Sequence, residues 1–268
     1  MPSPIIDGRW VLSLPIPEDK KPTIRYSHLS YPYGNFPDLG PIVEQLTRQV
    51  KADQCAHLDP DLRESSLRNR PRGWRPIFGQ VDQAQTHLCN QGVALGDLFL
   101  FYGLYRDATT NKGKIKYVRD AQPKHLIWGW MSIGDILNIS SEDDDPAWAR
   151  YHPHFTDKRG ANNTVYIASD TVFETLPGAG VFEIYSSDLC LTDGAQKKPS
   201  RWKLPPWFAP CNGQYSLTYH PRKEWWTPGT DCIFLKTKSP GQEFVLNTTD
   251  YPEALHWAAE LIKSNLKL

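Results

Sequence analysis

The clearest alternation of apolar and polar positions lies in the first half of the chain. Between Val81 and Asn90, apolar residues recur three and four positions apart, which predicts a helix with one buried face. Gly92 is well placed to end this helix, because glycine adopts positive φ without a Cβ clash. The continuous apolar run Leu98–Tyr102 then predicts a short central strand that is covered on both faces. The side chains that we expect to be almost fully buried in this strand are Leu98, Leu100 and Phe101.

Weaker patterns outside this stretch predict further short elements. One helix opens at Gly40-Pro41, and a second, with the most regular apolar spacing, closes the chain. His125–Ile133 predicts a strand, in which Gly129 indicates a bulge or a close backbone approach. Cys232–Lys236 and Glu243–Leu246 predict an antiparallel pair joined by a proline-glycine turn.

These elements favour a single α+β domain over residues 1–268, with a mostly antiparallel or mixed sheet and a few flanking helices. The chain has 30 basic and 30 acidic side chains, and this balance does not favour nonspecific binding of a nucleic-acid backbone. The 5 cysteines are scattered without a C-x-x-C motif, and the N-terminus lacks a secretory pattern. We therefore expect a cytoplasmic protein with reduced thiols and no membrane-spanning segment.

A basic stretch just before the predicted helix Val81–Asn90 supplies candidate ligand-binding residues. Five arginines fall within residues 63–75. Such charge runs are usually solvated surface, but guanidinium forks also suit a clamp for phosphate or carboxylate. A tryptophan in this stretch could stack on a planar base or fill the core, and nearby glutamines could read a base edge or form polar faces. The candidate ligand-binding residues here are Arg72, Trp74, Arg75, Gln80 and Gln85.

Histidines supply the candidates for acid–base chemistry. His57 precedes Asp59, and His152 and His154 flank a proline that makes a regular strand unfavourable there. His220 is a further candidate ligand-binding residue. Because no set of ligands has a defined spacing, we favour structural or hydrogen-bonding histidines and predict no tightly bound metal. Motifs for a hydrolase elbow, a P-loop or a Rossmann site do not occur, so the sequence identifies no cofactor.

A series of sequence blocks resembles a known family over nearly the whole length of the chain. The blocks are Pro2-Ser-Pro-Ile, Asp7-Gly-Arg9, Ser13-Leu-Pro-Ile-Pro-Glu18, His57-Leu-Asp-Pro-Asp61, Trp74-Arg-Pro, Phe78-Gly-Gln80, Gln85-Thr-His-Leu88, Gln91-Gly-Val93, Gly96-Asp-Leu-Phe-Leu-Phe101, Trp128-Gly-Trp130, His152-Pro-His154, Asn163-Thr-Val-Tyr166, Tyr219-His220 and Gly241-Gln-Glu-Phe-Val245. Their order resembles the nucleotide modification associated domain family, third type. Relatives carry a short strand and a Ser-Arg-Lys-Gly-like segment ahead of the first block, and we expect this segment to be missing here.

The resemblance implies a role in a DNA base-modification or phage-conflict system, but it does not imply a reaction. We expect the protein to bind or act on a nucleotide or nucleobase in an aromatic, Arg/Gln-lined pocket, with acid–base function from His57 and Asp59 or from His152 and His154. The alternatives are a noncatalytic reader of modified bases in nucleic acid and a structural subunit of such a system. A deep pocket with converging histidines and acids would favour an enzyme, whereas an open groove with Arg and Trp would favour a reader. The glycine turn before the central strand also resembles small PUA-like barrels.

Overall fold

A computed structural model describes residues 1–18, 24–30, 38–47, 49–139, 145–156, 162–195, 198–211, 213–238 and 243–266. The α-helices in this part of the chain are α1 (Gly40–Leu46), α2 (Asp82–Asn90), α3 (Pro153–Thr156) and α4 (Glu253–Asn265). The strands are β1 (Ser3–Ile6), β2 (Trp10–Val11), β3 (Ile16–Glu18), β4 (Cys55–His57), β5 (Ile77–Gln80), β6 (Leu98–Asn111), β7 (Lys114–Tyr117), β8 (Lys124–Asn138), β9 (Thr164–Ala168), β10 (Thr171–Val172), β11 (Leu176–Pro177), β12 (Ala179–Val181), β13 (Arg201–Leu204), β14 (Trp226–Pro228) and β15 (Ile233–Lys236).

The main sheet has the strand order β2-β1-β6-β8-β9-β5, with β7 paired to β6 and β12 paired to β8. The pairing of β1 with β6 is parallel, and the other pairs in this sheet are antiparallel. A smaller sheet has the order β13-β15-β14. The fold is therefore α+β with a mixed sheet and flanking helices, as predicted.

The resemblance to a PUA-like barrel is not confirmed, because the sheet does not close within the described residues. Closure would require the two end strands, β2 and β5, to pair with each other. Instead, Trp10 of β2 forms an isolated bridge with Ile184, and Ile77 of β5 forms one with Asp61. The two ends of the sheet are thus occupied by other segments.

The helices cover different parts of the two sheets. Ile42 of α1 belongs to the same apolar cluster as Ile115 of β7, and Leu88 of α2 belongs to the same cluster as Met131 of β8. Ile262 of α4 shares a third cluster with the strands of the smaller sheet. None of the helices in the described ranges is long and apolar enough to cross a membrane.

The local pattern of α2 predicted its structure well, and β8 contains the predicted strand His125–Ile133 but continues to Asn138. Helix α2 ends at Asn90, and Gly92 has φ +73°, the left-handed conformation expected of its terminating glycine. The register between β6 and β8 shifts after Phe101, which pairs with Gly129, so a bulge lies where the glycine indicated one. A Cβ on Gly129 would meet the carbonyl oxygen of Gly180 at 2.9 Å, which is the close backbone approach that was also predicted.

Strand β6 lies inside the sheet as predicted, but the expected burial of its first residues is wrong. Leu98, Leu100 and Phe101 are only partly buried, and all three line a large cleft. In the described structure, residues 98–104 are paired with β8 alone, since the pairing with β1 starts at Tyr105. These apolar residues line a cavity. A continuous apolar pattern in the sequence does not distinguish a cavity wall from a packed core.

The predicted strand Glu243–Leu246 is also wrong. β15 is paired on one side with β13 and on the other with β14, so neither edge of β15 is left for another strand. The segment 243–246 instead lines the same cleft as β6. Its predicted turn, Ser239–Gly241, lies outside the described residues, and the prediction of one domain over residues 1–268 stays a prediction.

Candidate active site

The first part of the site is built by the pairing of β3 with β4. This antiparallel pair brings Glu18 beside His57, with Glu18 Oε2 2.7 Å from His57 Nδ1. Because a carboxylate only accepts hydrogen bonds, the His57 Nδ1 carries the proton and donates it. The other ring nitrogen, Nε2, lies 3.8 Å from Oδ2 of Asp59 in the turn after β4.

The Asp59 carboxylate lies at the centre of the site. Its Oδ1 accepts a hydrogen bond of 2.9 Å from the backbone N–H of Gly79 in β5 and lies 3.3 Å from His152 Nε2. Its Oδ2 lies 3.2 Å from His154 Nε2. Only 6% of the Asp59 side chain is exposed. One nearly buried carboxylate is therefore surrounded by the imidazoles of His57, His152 and His154, which we call the histidine–carboxylate cluster.

The segment His152–His154 reaches this carboxylate from the start of α3. Its proline excludes a regular strand, as expected, but the turn still places both imidazoles beside Asp59, with ring centroids 5.6 Å apart. Asn163 holds the second ring: its Nδ2 donates to the His154 carbonyl at 2.7 Å, and its Oδ1 lies 2.7 Å from His154 Nδ1. Since an amide oxygen only accepts, His154 Nδ1 carries a proton, and Nε2 is the nitrogen that faces Asp59.

His152 is placed differently from the other two imidazoles. It is fully buried, and neither of its ring nitrogens has a hydrogen-bond partner among the described residues. Its Nε2 is close to Asp59 Oδ1 without hydrogen-bond geometry. His152 therefore acts on the cluster through charge and packing behind the carboxylate.

A second buried carboxylate, Asp61, fixes the backbone around the cluster. The Arg70 guanidinium donates to both Asp61 oxygens, and Tyr151, which precedes His152, donates to the same carboxylate at 2.5 Å. Trp74 Nε1 donates to it at 3.3 Å, and the Arg70 guanidinium lies 4.5 Å from the centre of the Trp74 ring. This network links the Asp59 turn to the His152–His154 segment, so it positions the cluster without belonging to it.

The surroundings of Asp59 and His57 shift both of their pKa values. Burial alone would raise the pKa of Asp59, but the charge of His152 and the close approach of the three imidazoles hold it well below its ordinary value. Burial lowers the pKa of His57, but the Asp59 and Glu18 carboxylates outweigh this effect and raise it overall. Asp59 is therefore an ionised, nearly buried carboxylate beside an imidazole that retains a proton more readily than usual, an arrangement suited to proton transfer.

The cluster opens into a large cleft. The cleft has a volume of about 1440 Å³, and His57, Asp59 and His154 are among the residues that line it. Its other walls are the first half of β6, the segment 243–248 and one face of α4. A ligand in the cleft can therefore contact the cluster directly.

Of the predicted ligand-binding residues, Gln80 lines this cleft, and its Nε2 donates to Glu243 Oε1 at 3.4 Å. The described lining does not include Arg72, Trp74 or Arg75. Arg72 is exposed, Trp74 belongs to the Asp61 network, and Arg75 donates to the backbone carbonyl of Ala168. The basic stretch is thus not wholly solvated, and its arginines do not form a clamp for phosphate. Arg70 binds the Asp61 carboxylate, and Arg75 binds a backbone carbonyl.

Gln85 and His220 lie in the interior, away from the cluster. Gln85 is 3% exposed and accepts a hydrogen bond of 2.9 Å from the hydroxyl of Tyr166. His220 is fully buried, with Nδ1 2.8 Å from the carbonyl of Thr218 and Nε2 accepting from the backbone N–H of Lys238. Burial lowers the pKa of His220 and favours its neutral ring, and it outweighs the opposite effect of the hydrogen bond to the Thr218 carbonyl.

Sequence reasoning identified the four members of the cluster but missed the residues that orient them. Glu18, Gly79 and Asn163 each make one of the hydrogen bonds that fix the cluster. All three lie inside the blocks on which the family resemblance rests, and that position was the available signal. Their hydrogen-bonding partners lie 39, 20 and 9 positions away, and these unrelated separations form no spacing that sequence reasoning could use.

An α+β fold with a histidine–carboxylate cluster at a cleft defines the class of this protein. The chain belongs to the nucleotide modification associated domain 3 family, which matches residues 1–247 and so includes the whole cluster. The family name associates it with nucleotide modification. No curated protein and no solved structure matches the chain.

Proposed function

We propose that this protein is an enzyme of a nucleotide-modification system, acting on a nucleobase or nucleotide held in the cleft. The observation that carries the proposal is the convergence of three imidazoles on the ionised Asp59 carboxylate at the cleft wall. Burying this many titratable groups in one place is costly unless they are paired, and such clusters occur preferentially at functional sites. The cluster would exchange a proton with the ligand, and the opposite charges of its members would balance the charge that this creates.

The chemistry of the cleft supports a flat, weakly charged ligand. Phe99, Phe101, Tyr102, Trp128 and Phe244 line it, and aromatic rings of this kind stack on nucleobases. Gln80 adds an amide that can donate to or accept from a base edge. The base or nucleoside portion of the ligand would therefore supply most of the contacts.

The second candidate function is a noncatalytic reader of modified bases. The aromatic lining favours it as much as it favours an enzyme, because stacking alone holds a base. The cluster distinguishes the two, since proton transfer requires titratable groups such as these and stacking does not. We place the enzyme first for that reason.

The test combines binding with turnover. Native mass spectrometry of the purified protein against nucleosides and nucleotides, with ordinary and hypermodified bases, identifies ligands, and the mass of the released ligand reports reaction. We expect wild type and His256→Gln, an exposed imidazole on α4, to convert a ligand that Asp59→Asn binds without converting. Binding without conversion by every variant would support the reader, and the absence of any ligand would contradict both functions.

The wider setting is also part of the proposal. We infer that the protein works in a DNA base-modification or phage-conflict system, with nucleotide or nucleic acid as its partner, and in the cytoplasm. The family supports the coarser part of the first inference, a role in nucleotide modification. The cysteines, all free, support a compartment that keeps thiols reduced.

A further inference from the structure

The hydrogen bonds around the cluster direct unprotonated nitrogens at a carboxylate. In the neutral rings, the single proton is on Nδ1, because Glu18 accepts from His57 and Asn163 accepts from His154. The Nε2 lone pairs of both rings then face Asp59 Oδ2, at 3.8 and 3.2 Å. In that state three acceptors face one another, and the arrangement is favourable only when a positive charge lies among them, either a second proton on an imidazole or a bound cation.

A bound cation would satisfy all three acceptors at once. One ligand atom from each of His57, Asp59 and His154 lies within 4.8 Å of the other two. Two ligands each about 2.1 Å from a metal lie at most about 4.2 Å apart, so a small movement of one side chain completes the site. These three residues line the cleft, so a ligand or water in the cleft could occupy a fourth coordination position of the ion.

We propose that His57, Asp59 and His154 bind a first-row divalent transition-metal ion at the wall of the cleft. Two imidazoles with one carboxylate are a ligand set for iron, zinc and related ions, whereas magnesium and calcium prefer oxygen ligands alone. The expectation of no tightly bound metal rested on the lack of a ligand spacing in the sequence, and the fold supplies the proximity that the spacing did not indicate.

The residues around the trio match the support that metal ligands usually have. A histidine that binds a metal through one nitrogen commonly donates its other N–H to a carboxylate or carbonyl oxygen. Glu18 and Asn163 accept these protons from His57 and His154 at 2.7 Å each. The Asp59 oxygen that faces away from the trio is held by the Gly79 N–H. Glu18, Asn163 and Gly79 are therefore positioning residues for the metal site.

The test measures metal binding without any substrate. Protein stripped with a chelator is loaded separately with Fe²⁺ under anaerobic conditions, Mn²⁺, Co²⁺ and Zn²⁺, desalted, and analysed for metal by mass spectrometry. We expect about one ion per chain in wild type for at least one metal, and loss of it in His154→Gln and Asp59→Asn. Glu18→Gln should weaken affinity by about 10- to 100-fold, the usual effect of removing such support.

Two controls keep the outcome clear. His256→Gln removes an exposed imidazole and should bind metal as wild type does. His57→Gln changes a ligand on the cleft wall and serves if Asp59→Asn fails to fold, as judged by circular dichroism. The Co²⁺ absorption spectrum adds a readout that a merely structural role would not change. Stripped wild type that binds none of the four ions, or His57→Gln and His154→Gln variants that bind as tightly as wild type, would overturn the proposal.

The inference deepens the proposed function because it concerns the same cluster, yet the two fail separately. Metal binding with no nucleoside or nucleotide ligand would leave the metal site standing and contradict the proposed function. Ligand conversion by stripped protein that binds none of the ions would support the proposed function and contradict the metal site.

Discussion

At the scale of single residues, the site depends on side chains that hold other side chains. Arg70 is the clearest case, because both Asp61 oxygens and the Tyr151 hydroxyl depend on it. The Arg70 and Asp61 side chains are 7% and 0% exposed. Removing one partner of a buried ion pair leaves the other charge without compensation, which is more costly than losing a surface pair.

We therefore predict that Arg70→Ala lowers the free energy of unfolding by about 3–5 kcal/mol. The matched control is Arg72→Ala, which removes an exposed guanidinium two positions away and should change stability by no more than about 0.5 kcal/mol. Denaturant titration of both variants measures the difference. Equal losses would mean that the Asp61 network contributes nothing specific.

A second residue-scale prediction concerns pH. Burial lowers the pKa of His125 from 6.5 to about 4, and its Nδ1 accepts a hydrogen bond of 2.8 Å from Trp202 Nε1. The unfolded chain takes up the proton at a higher pH than the folded protein does, so the stabilisation is complete above the unfolded pKa. It is lost as the pH falls from about 6.5 to about 4.

The measurement is the difference in unfolding free energy between wild type and His125→Gln across that pH range. The glutamine can still accept from Trp202 but does not titrate, so this variant should lose less stability on acidification than wild type. An NMR titration of the His125 ring checks the cause directly. A ring that titrates near pH 6.5 in the folded protein would contradict the prediction.

At the scale of elements, close packing of β5 against α3 decides the geometry of the cluster. A Cβ on Gly79 would lie 2.2 Å from the His154 ring, well inside van der Waals contact. Gly79 is also the residue whose N–H binds Asp59. We predict that Gly79→Ala displaces the His154 ring, costs about 1–3 kcal/mol of stability through overpacking, and removes metal binding.

The control for this substitution is Gly194→Ala, where an added Cβ meets nothing within 4 Å. It should leave both stability and metal content near those of wild type. Metal analysis and thermal unfolding of the two variants test the prediction together. A Gly79→Ala protein that retains its metal would show that β5 does not constrain His154.

The cleft also changes the energetics expected of β6. Leu100 is partly exposed to the cleft, whereas Leu126 of the adjacent strand β8 is fully buried. We predict that Leu100→Ala costs about 1 kcal/mol, and that Leu126→Ala costs about 2–5 kcal/mol, since it leaves a cavity. Denaturant unfolding compares them. A cost for Leu100→Ala equal to that of Leu126→Ala would restore the buried strand expected from the sequence.

At the scale of the whole molecule, what the sequence could predict depended on the range of the interactions. Helix α2, its terminating Gly92 and the bulge at Gly129 follow from local rules, and the sequence identified all three. The cluster combines β4 with α3, and it is oriented by Glu18 and Asn163 from two other places in the chain. Such long-range contacts leave no periodic pattern, so the histidines could be identified but not their convergence.

The described lining of the cleft has more acidic than basic side chains, and this charge affects which ligands the protein can bind. Among its described lining residues, Arg63 is the one lysine or arginine, and it is paired with Glu183 at 3.3 Å. The acidic side chains on the same lining are Asp59, Asp97, Glu243 and Asp250. A cleft of this charge repels a phosphate backbone, and the zero net charge of the chain offers no compensating attraction.

We therefore predict that binding of deoxynucleosides by the metal-free protein changes by less than about tenfold between about 50 mM and about 200 mM salt. Proteins that contact many phosphates lose about 10³- to 10⁵-fold over that range, because counterions are released on binding. Calorimetric titration with deoxynucleosides, their monophosphates and an unmodified DNA duplex makes the comparison, and the nucleosides should bind at least as tightly as the monophosphates. Arg63→Gln should leave this order unchanged, because Arg63 already pairs with Glu183. A duplex that binds tightest and with a steep salt dependence would mean that a surface outside the cleft binds nucleic acid.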